Sequence, residues 1–163
     1  MTSRSAAIAV AAFALASAGA AWAGPGHADH ADHAAPAAYG APGEPSAVSR
    51  TIVLKALDVA FDASEIRVRA GETVRFVVVN EGALVHELTL GDQAAQSQHR
   101  ERMAVMSEDE VLSSDHHHPN AVSVAAGAQA ELVWRFGGPG RFEFACNVLG
   151  HAESGMAGVL IVE

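Results

Sequence analysis

The strongest constraint on the fold is a series of short segments in which apolar and polar residues alternate. Such alternation gives a strand one buried face and one solvent face. The clearest run is Glu65-Ile66-Arg67-Val68-Arg69-Ala70, and comparable runs cover residues 51–56, 73–79, 86–90, 121–124, 130–136, 141–146 and 158–162. Seven or eight short strands separated by turn residues predict an all-β fold, a Greek-key β-sandwich or barrel. The Gly71-Glu72 turn also predicts that the strands on its two sides pair as a hairpin.

One stretch, residues 91–120, interrupts this pattern. Ala95, His99, Met103 and Met106 recur there at helical spacing, so we expect them to share one face of a short helical insertion. Ser107 followed by Glu110 forms a capping box and predicts the start of a second helical turn.

The N-terminus resembles a secretory signal. A short basic start precedes an apolar stretch over residues 6–21, and Ala21-Trp22-Ala23 gives a small-x-small cleavage pattern. The stretch is shorter than the roughly 20 residues that span a bilayer. We therefore expect residues 1–23 to be a signal peptide cleaved after Ala23, leaving a periplasmic protein without a membrane span. The alternative is a retained N-terminal anchor.

The remaining chain divides into a tail and a domain. Residues 24–48 are rich in Gly, Ala, Pro and His and carry almost no large apolar side chains, which predicts disorder. Residues 49–163 are enough for one domain with its own core, which we expect to be monomeric.

The charge balance limits the partners. Asp and Glu number 19 against 10 Lys and Arg, for a formal net charge of −9. Nucleic acid is excluded as a natural partner, because phosphate binding requires a basic face. Cations, or a redox protein with a basic docking face, would suit this charge.

The lone cysteine points to a metal. Cys146 cannot form an internal disulfide, and it begins the spacing Cys-x4-His-x4-Met with His151 and Met156. A thiolate, an imidazole and a thioether are donors suited to copper, and type 1 copper sites use His₂Cys with a weak axial Met. The alternative is a structural buried cysteine.

A second histidine must complete this set. His86 follows the strand over residues 73–79 and is distant from the ligand loop in sequence, which makes it the best candidate. Structural zinc is the competing metal, but it prefers more cysteines and Met is an unusual zinc ligand. A set of four protein donors leaves no ready position for a substrate, so we expect one copper ion that cycles between Cu(II) and Cu(I) and no enzymatic activity.

Further histidines and methionines suggest auxiliary copper binding. A His-rich tract can bind Cu(II) or Zn(II) weakly, and the alternative is a solubilising tail. In the insertion, Met103 and Met106 either pack against the sandwich or join a copper port with the neighbouring histidines. The auxiliary candidates are His27, His30, His33, Met103, Met106, His116, His117 and His118.

With these residues assembled, the chain from about residue 49 to 163 resembles a cupredoxin. The resemblance makes His86, Cys146 and His151 the equatorial ligands and Met156 the axial ligand. The ligand spacing is similar to that of rusticyanins, and the whole mature chain is most similar to small periplasmic cupredoxins of bacterial copper-tolerance systems. Many family members have Asn or a similar residue directly after the first histidine, whereas this chain has Glu87.

Two functions are consistent with the predicted site. The first is copper tolerance, in which the protein sequesters copper or cycles it between oxidation states. The second is a dedicated one-electron carrier that docks through the His151 edge, ringed by Leu84, Val85 and Leu149. The extra His and Met residues favour copper tolerance.

Overall fold

The computed structural model describes residues 37–113 and 118–163. Two helices lie in the insertion, α1 (Gln93–Met103) and α2 (Glu108–Leu112). The predicted signal peptide lies outside the described residues, and no described helix has the length and apolar character needed to cross a membrane. The strands of the described part are β1 (Ala41–Pro42), β2 (Arg50–Leu57), β3 (Ala60–Phe61), β4 (Glu65–Val68), β5 (Thr73–Asn80), β6 (His86–Gly91), β7 (Ala121–Val124), β8 (Gln129–Arg135), β9 (Gly140–Ala145) and β10 (Ala157–Val162).

The strands form two five-stranded sheets, which confirms the predicted all-β fold with a short helical insertion. The first sheet has the order β1-β8-β5-β2-β3, and the second has the order β4-β10-β9-β6-β7. The β2–β5 and β4–β10 pairs are parallel, and the other pairs are antiparallel. Inward side chains of both sheets form one core, whose largest members include Phe76, Phe136, Phe144, Leu54 and Leu160.

The predicted hairpin across Gly71 was wrong, although the turn itself exists. β4 pairs with β10 in the second sheet, whereas β5 pairs with β2 and β8 in the first. Gly71 adopts φ 76° and donates its N–H to the Phe136 carbonyl at 3.1 Å. The chain therefore changes sheets at this glycine. Alternating residues specify which face of a strand is buried, but they do not specify its neighbour.

The segment before the predicted domain also contributes to the first sheet. We predicted disorder over residues 24–48, but residues 37–48 include β1, which pairs with β8. Tyr39 stacks on Trp134 with ring centroids 5.8 Å apart, and the Trp134 indole N–H donates to the Tyr39 carbonyl at 2.9 Å. Tyr39 is the only tyrosine in the chain. This contact supplies the apolar burial that composition alone did not reveal.

The helical insertion covers the outer face of β6. Asp92 caps α1 by accepting the Ala95 N–H at 2.8 Å, and the predicted capping box between Ser107 and Glu110 is present at α2. β6 is buried over all six residues, because the core lies on one side and α1 packs on the other. The buried face of α1 consists of Gln96, His99 and Met103.

Candidate metal centre

The predicted ligands come from strand ends that meet at one end of the second sheet. His86 is the first residue of β6, and Cys146 directly follows β9. Because β6 and β9 pair antiparallel with Thr89 opposite Ala145, these two side chains become neighbours. His151 lies in the turns between β9 and β10, and Met156 directly precedes β10.

Both imidazoles turn their Nδ1 atoms toward the thiol. Cys146 Sγ lies 3.9 Å from His86 Nδ1 and 3.4 Å from His151 Nδ1. The two rings have centroids 5.1 Å apart and planes inclined at 52°. The potential ligand atoms of these three residues all lie within 4.8 Å of one another, a group that could hold a metal ion. The structure therefore brings the three predicted equatorial ligands together.

The loop between Cys146 and Met156 is held by its own backbone. His151 donates its N–H to the Val148 carbonyl at 2.9 Å, and Met156 donates to the His151 carbonyl at 3.0 Å. Cys146 in turn donates its N–H to the Met156 carbonyl at 3.0 Å, which fastens the two ends of the loop together. The Met156 side chain is fully buried in the core of the sandwich. Its role as axial ligand stays a prediction.

Burial sets the protonation of the three donors. Burial raises the pKa of the Cys146 thiol to about 12, although N–H groups of Glu87 and Val148 favour the thiolate. The pKa of His86 is lowered by burial and by the neighbouring His151, and burial also lowers the pKa of His151. At neutral pH the site therefore presents one thiol and two neutral imidazoles, ready to exchange the thiol proton for a cation.

This donor set fits copper. One sulfur and two imidazole nitrogens match the equatorial set of a type 1 site, and a buried thioether follows on the same loop. Structural zinc sites instead draw mostly on several cysteines, whereas this chain contains one. The sulfur also accepts the Glu87 N–H at 3.4 Å, a contact of the kind that tunes a metal-bound thiolate.

The Glu87 side chain has a partner that the sequence analysis missed. Its carboxylate oxygens lie 2.8 and 2.9 Å from His99 Nε2, and Thr89 Oγ1 donates to Oε2 at 2.8 Å. Glu87 and His99 are both buried, so this pair fastens α1 to the ligand strand. Part of this information was available from the sequence, because the helical spacing had placed His99 on the same face as Met103.

Gln96 ties the same helix to the ligand loop and was also missed. Its side-chain Nε2 donates to the Thr89 carbonyl at 3.0 Å and to the Glu143 carbonyl at 3.2 Å. Its Oε1 accepts a hydrogen bond of 2.8 Å from the side chain of Asn147, the residue after Cys146. The predicted face contained Ala95, His99, Met103 and Met106 but not Gln96, so the sequence analysis gave no signal for this contact.

Asn80 shapes the loop that leads to His86. Its side-chain amide donates to the Leu84 carbonyl at 2.8 Å and to the Val124 carbonyl at 3.1 Å. Its Oδ1 accepts the Gly82 N–H at 2.9 Å. Three hydrogen bonds from one buried side chain therefore fix the approach to the first histidine.

The auxiliary candidates have separate outcomes. Met103 is buried against Val85 and Val111, and Met106 packs on the same cluster, as the packing alternative expects. A role of either residue in copper binding stays a prediction. His118 contacts His99 edge to face, with ring centroids 4.8 Å apart. Within residues 37–113 and 118–163, the metal-type cluster of three or more His, Cys, Asp or Glu is the one already described. The other auxiliary candidates, His27, His30, His33, His116 and His117, lie outside the described residues.

The predicted docking edge is partly exposed. Leu149 is 69% exposed and Leu84 is 40% exposed, whereas Val85 is buried under the helices. His151 keeps 9% of its surface accessible. The carboxylates of Asp58, Glu108 and Glu153 lie close enough to oppose the burial effect on the pKa of His151.

Comparison with curated proteins gives relatives linked to copper. A copper-resistant cuproprotein CopI of Rubrivivax gelatinosus is 47% identical over 102 residues, which cover 63% of this chain and 59% of that protein. A copper-resistant cuproprotein CopI of Pseudomonas aeruginosa is 40% identical over 139 residues, covering 71% of this chain and 77% of that protein.

Solved structures show the same fold. Auracyanin B matches with a TM-score of 0.62 at 23% identity, covering 78% of this chain and 97% of that chain. An azurin from Methylomonas sp. strain J matches with a TM-score of 0.55 at 17% identity, covering 71% of this chain and 99% of that chain. The family model described as the Sulfocyanin (SoxE) domain matches residues 57–163. The chain therefore belongs to the cupredoxins, with a sulfocyanin-type domain, and is related to the copper-resistance cuproproteins.

Proposed function

We propose that this protein is a periplasmic, mononuclear type 1 copper protein that serves copper tolerance. The observation that carries the proposal is the buried group of His86, Cys146 and His151, in which both Nδ1 atoms face one thiol. Copper held by such a set can pass between Cu(II) and Cu(I). The copper-resistant cuproproteins among the relatives support the assignment to tolerance.

The residues of the site favour binding and electron transfer over catalysis. If Met156 joins His86, Cys146 and His151, four protein groups would hold the copper and would leave no ready position for a substrate. Backbone hydrogen bonds fix His151 and Met156 within the 147–156 loop, an arrangement that would suit a copper ion changing oxidation state with little rearrangement of its ligands. We therefore propose that the protein is not an enzyme and that it binds one copper ion per domain.

Growth under copper stress tests the proposed role. A deletion strain of the source organism should lose growth at high copper, and the wild-type gene should restore it. Cys146→Ser should fail to restore growth, because the chain has no other thiolate donor. Fractionation of the complemented strain should place the protein in the periplasm. Equal copper tolerance of the deletion strain and the parent would refute the proposed role.

A dedicated electron carrier is the second candidate. Exposed Leu149 near the accessible edge of His151, together with carboxylates such as Glu108 and Glu153, would suit a partner with a basic docking face. In that case, loss of Cys146 would impair respiration at trace copper and leave growth at high copper unchanged. Both conditions therefore belong in the same growth experiment.

A further inference from the structure

The first ligand histidine has one ring nitrogen whose partner is missing. His86 Nδ1 faces the thiol, but its Nε2 is buried without a hydrogen-bond partner in the described part of the chain. A carboxylate oxygen, Asp58 Oδ1, lies 4.0 Å from this Nε2, slightly beyond hydrogen-bond reach. A buried N–H that has lost water is costly unless an acceptor compensates it.

The backbone around Asp58 is arranged to bring this carboxylate close. Asp58 lies between β2 and β3 in the first sheet, whereas His86 begins β6 in the second. Its Oδ1 accepts the Ala83 N–H at 2.7 Å, which anchors it to the loop before His86. The next residue, Val59, has φ 61°, in the left-handed region that β-branched residues rarely adopt.

Gly82 shows how close this approach is. A Cβ atom at Gly82 would collide with Asp58 Oδ1 and would lie 3.0 Å from the Asp58 amide nitrogen. The turn that carries Asp58 therefore packs directly against the loop that leads to His86. Any side chain at position 82 would therefore have to displace Asp58.

We propose that Asp58 is a positioning residue of the copper site, whose carboxylate accepts the Nε2–H of His86 and thereby commits Nδ1 to the metal. Metal-bound histidines almost always donate their other N–H to a carboxylate, a carbonyl or water. Binding of a cation at Nδ1 strengthens the Nε2–H as a donor, which favours closing the remaining gap. The inference rests on the proposed copper binding for its metal, but the tautomer of His86 is a property of the metal-free protein as well.

The competing explanation is that Asp58 only caps the Ala83 N–H. Asp58→Asn tests the charged carboxylate, because an amide oxygen can still accept the Ala83 N–H but is a weaker acceptor for the Nε2–H of a metal-bound His86. Asp62 provides a matched control. It is an exposed aspartate at the other end of β3, and its Oδ1 likewise accepts a backbone N–H, that of Lys55, at 2.9 Å.

The first measurement is copper binding by the full mature chain. Asp58→Asn should lower Cu(II) affinity by about 10- to 100-fold, the usual effect of removing an outer partner of a metal ligand. It should also raise the reduction potential, because a nearby negative charge stabilises Cu(II) more than Cu(I). Asp62→Asn should change neither quantity. Equal affinity and potential in the two variants would overturn the proposal.

The second measurement uses the metal-free wild-type protein, so it depends neither on whether a variant folds nor on bound copper. In the metal-free wild-type protein, ¹⁵N NMR of the imidazoles should show His86 as the Nε2–H tautomer. A predominant Nδ1–H tautomer would overturn the role of Asp58, whatever the metal turns out to be. A wild-type protein that binds no copper but shows the Nε2–H tautomer would refute the proposed function and leave the positioning of His86 supported.

Discussion

Cys146 keeps its proton at neutral pH in the metal-free protein, because burial raises the pKa of its thiol to about 12. His86 and His151 are neutral there for the same physical reason, since burial lowers the pKa of each imidazole below 6.5. Metal binding must therefore displace the Cys146 proton, so protons compete with the metal at neutral pH already, and the imidazoles add to this competition only at lower pH.

The pKa shifts of Cys146, His86 and His151 predict how many protons are released when copper binds. Between about pH 7 and 9, Cu(II) should release about one proton per site, all of it from Cys146. The number should increase only well below pH 6.5, when the imidazoles begin to bind protons of their own. Calorimetric titration in buffers with different ionisation enthalpies measures this quantity. Absence of proton release at pH 8 would mean that the thiolate already exists without metal.

The stability of the metal-free protein should depend on pH through the protonation of the same two imidazoles, those of His86 and His151. The unfolded state binds protons at a higher pH than the folded state does, because both folded pKa values are lowered. Below the ordinary pKa of a thiol, stability should therefore be highest above pH 6.5 and should fall as pH decreases toward the folded pKa values of the imidazoles. Urea unfolding at pH 7.5 and pH 5.5 tests the sign. Higher stability at the lower pH would contradict it.

Met156 can be tested by a change that preserves its volume. Met156→Leu should retain copper and raise the reduction potential, because loss of a weak donor destabilises Cu(II) more than Cu(I). Met106→Leu is the matched control, since Met106 packs on a separate cluster with Val85. Voltammetry of both variants gives the comparison. An unchanged potential in Met156→Leu would exclude Met156 as the axial ligand.

At the residue scale, the sequence predicted Cys146 and His151 because three ligand types are spaced along one short loop. It predicted His86 because this histidine follows a strand and is distant from that loop in sequence. The cluster of His86, Cys146 and His151 in the structure agrees with that prediction. The partners of these donors were harder to predict. Asp58 approaches His86 from the opposite sheet, and His99 reaches Glu87 from α1. Such contacts depend on how elements pack, which local spacing does not specify.

At the element scale, α1 is joined to the sandwich largely by polar contacts. The spacing correctly placed His99 and Met103 on its inner face, but it gave no role to Gln96, which is 2% exposed. Hydrophobic periodicity predicts a helix from its apolar stripe, so a buried polar anchor goes unnoticed. The hairpin across Gly71 failed for a related reason, because periodicity does not identify a strand's neighbour.

Removing the Gln96 anchor should weaken the whole insertion. Gln96→Ala should lower the free energy of unfolding by about 1–3 kcal/mol, because it leaves the buried Asn147 amide and two carbonyls without their partner. Gln98→Ala is the matched control on the exposed face of the same helix. Chemical denaturation of the metal-free proteins measures the difference. Equal stability of the two variants would show that the anchor is dispensable.

At the scale of the whole molecule, the sequence predicted the all-β class because its strands alternate clearly. The N-terminal boundary of the domain was harder to predict, because the segment that precedes β2 consists mostly of small residues and carries one large aromatic side chain, Tyr39. Tyr39 contributes a stacking contact with Trp134, and β1 extends the first sheet. Composition averages over such a segment and so conceals one well-placed aromatic side chain.

The proposed capture of copper by auxiliary histidines is also a property of the whole chain. Replacing His27, His30, His33, His116, His117 and His118 together should leave the visible spectrum of the tight site unchanged, because none of them is among its four predicted ligands. Weak additional copper equivalents and growth at high copper should both decrease. Equilibrium dialysis and growth curves provide the measurements. Undiminished copper tolerance in this variant would refute a role of these histidines in capture.

The complete burial of the single thiol has a consequence for the protein before it meets any metal. A protonated sulfur with no accessible surface is a poor partner for thiol exchange, so two copies cannot readily cross-link through it. The same shielding slows attack by peroxides, which react with exposed thiolates. The metal-free protein can therefore keep its thiol reduced under oxidising conditions, and the thiol remains available to bind a metal ion.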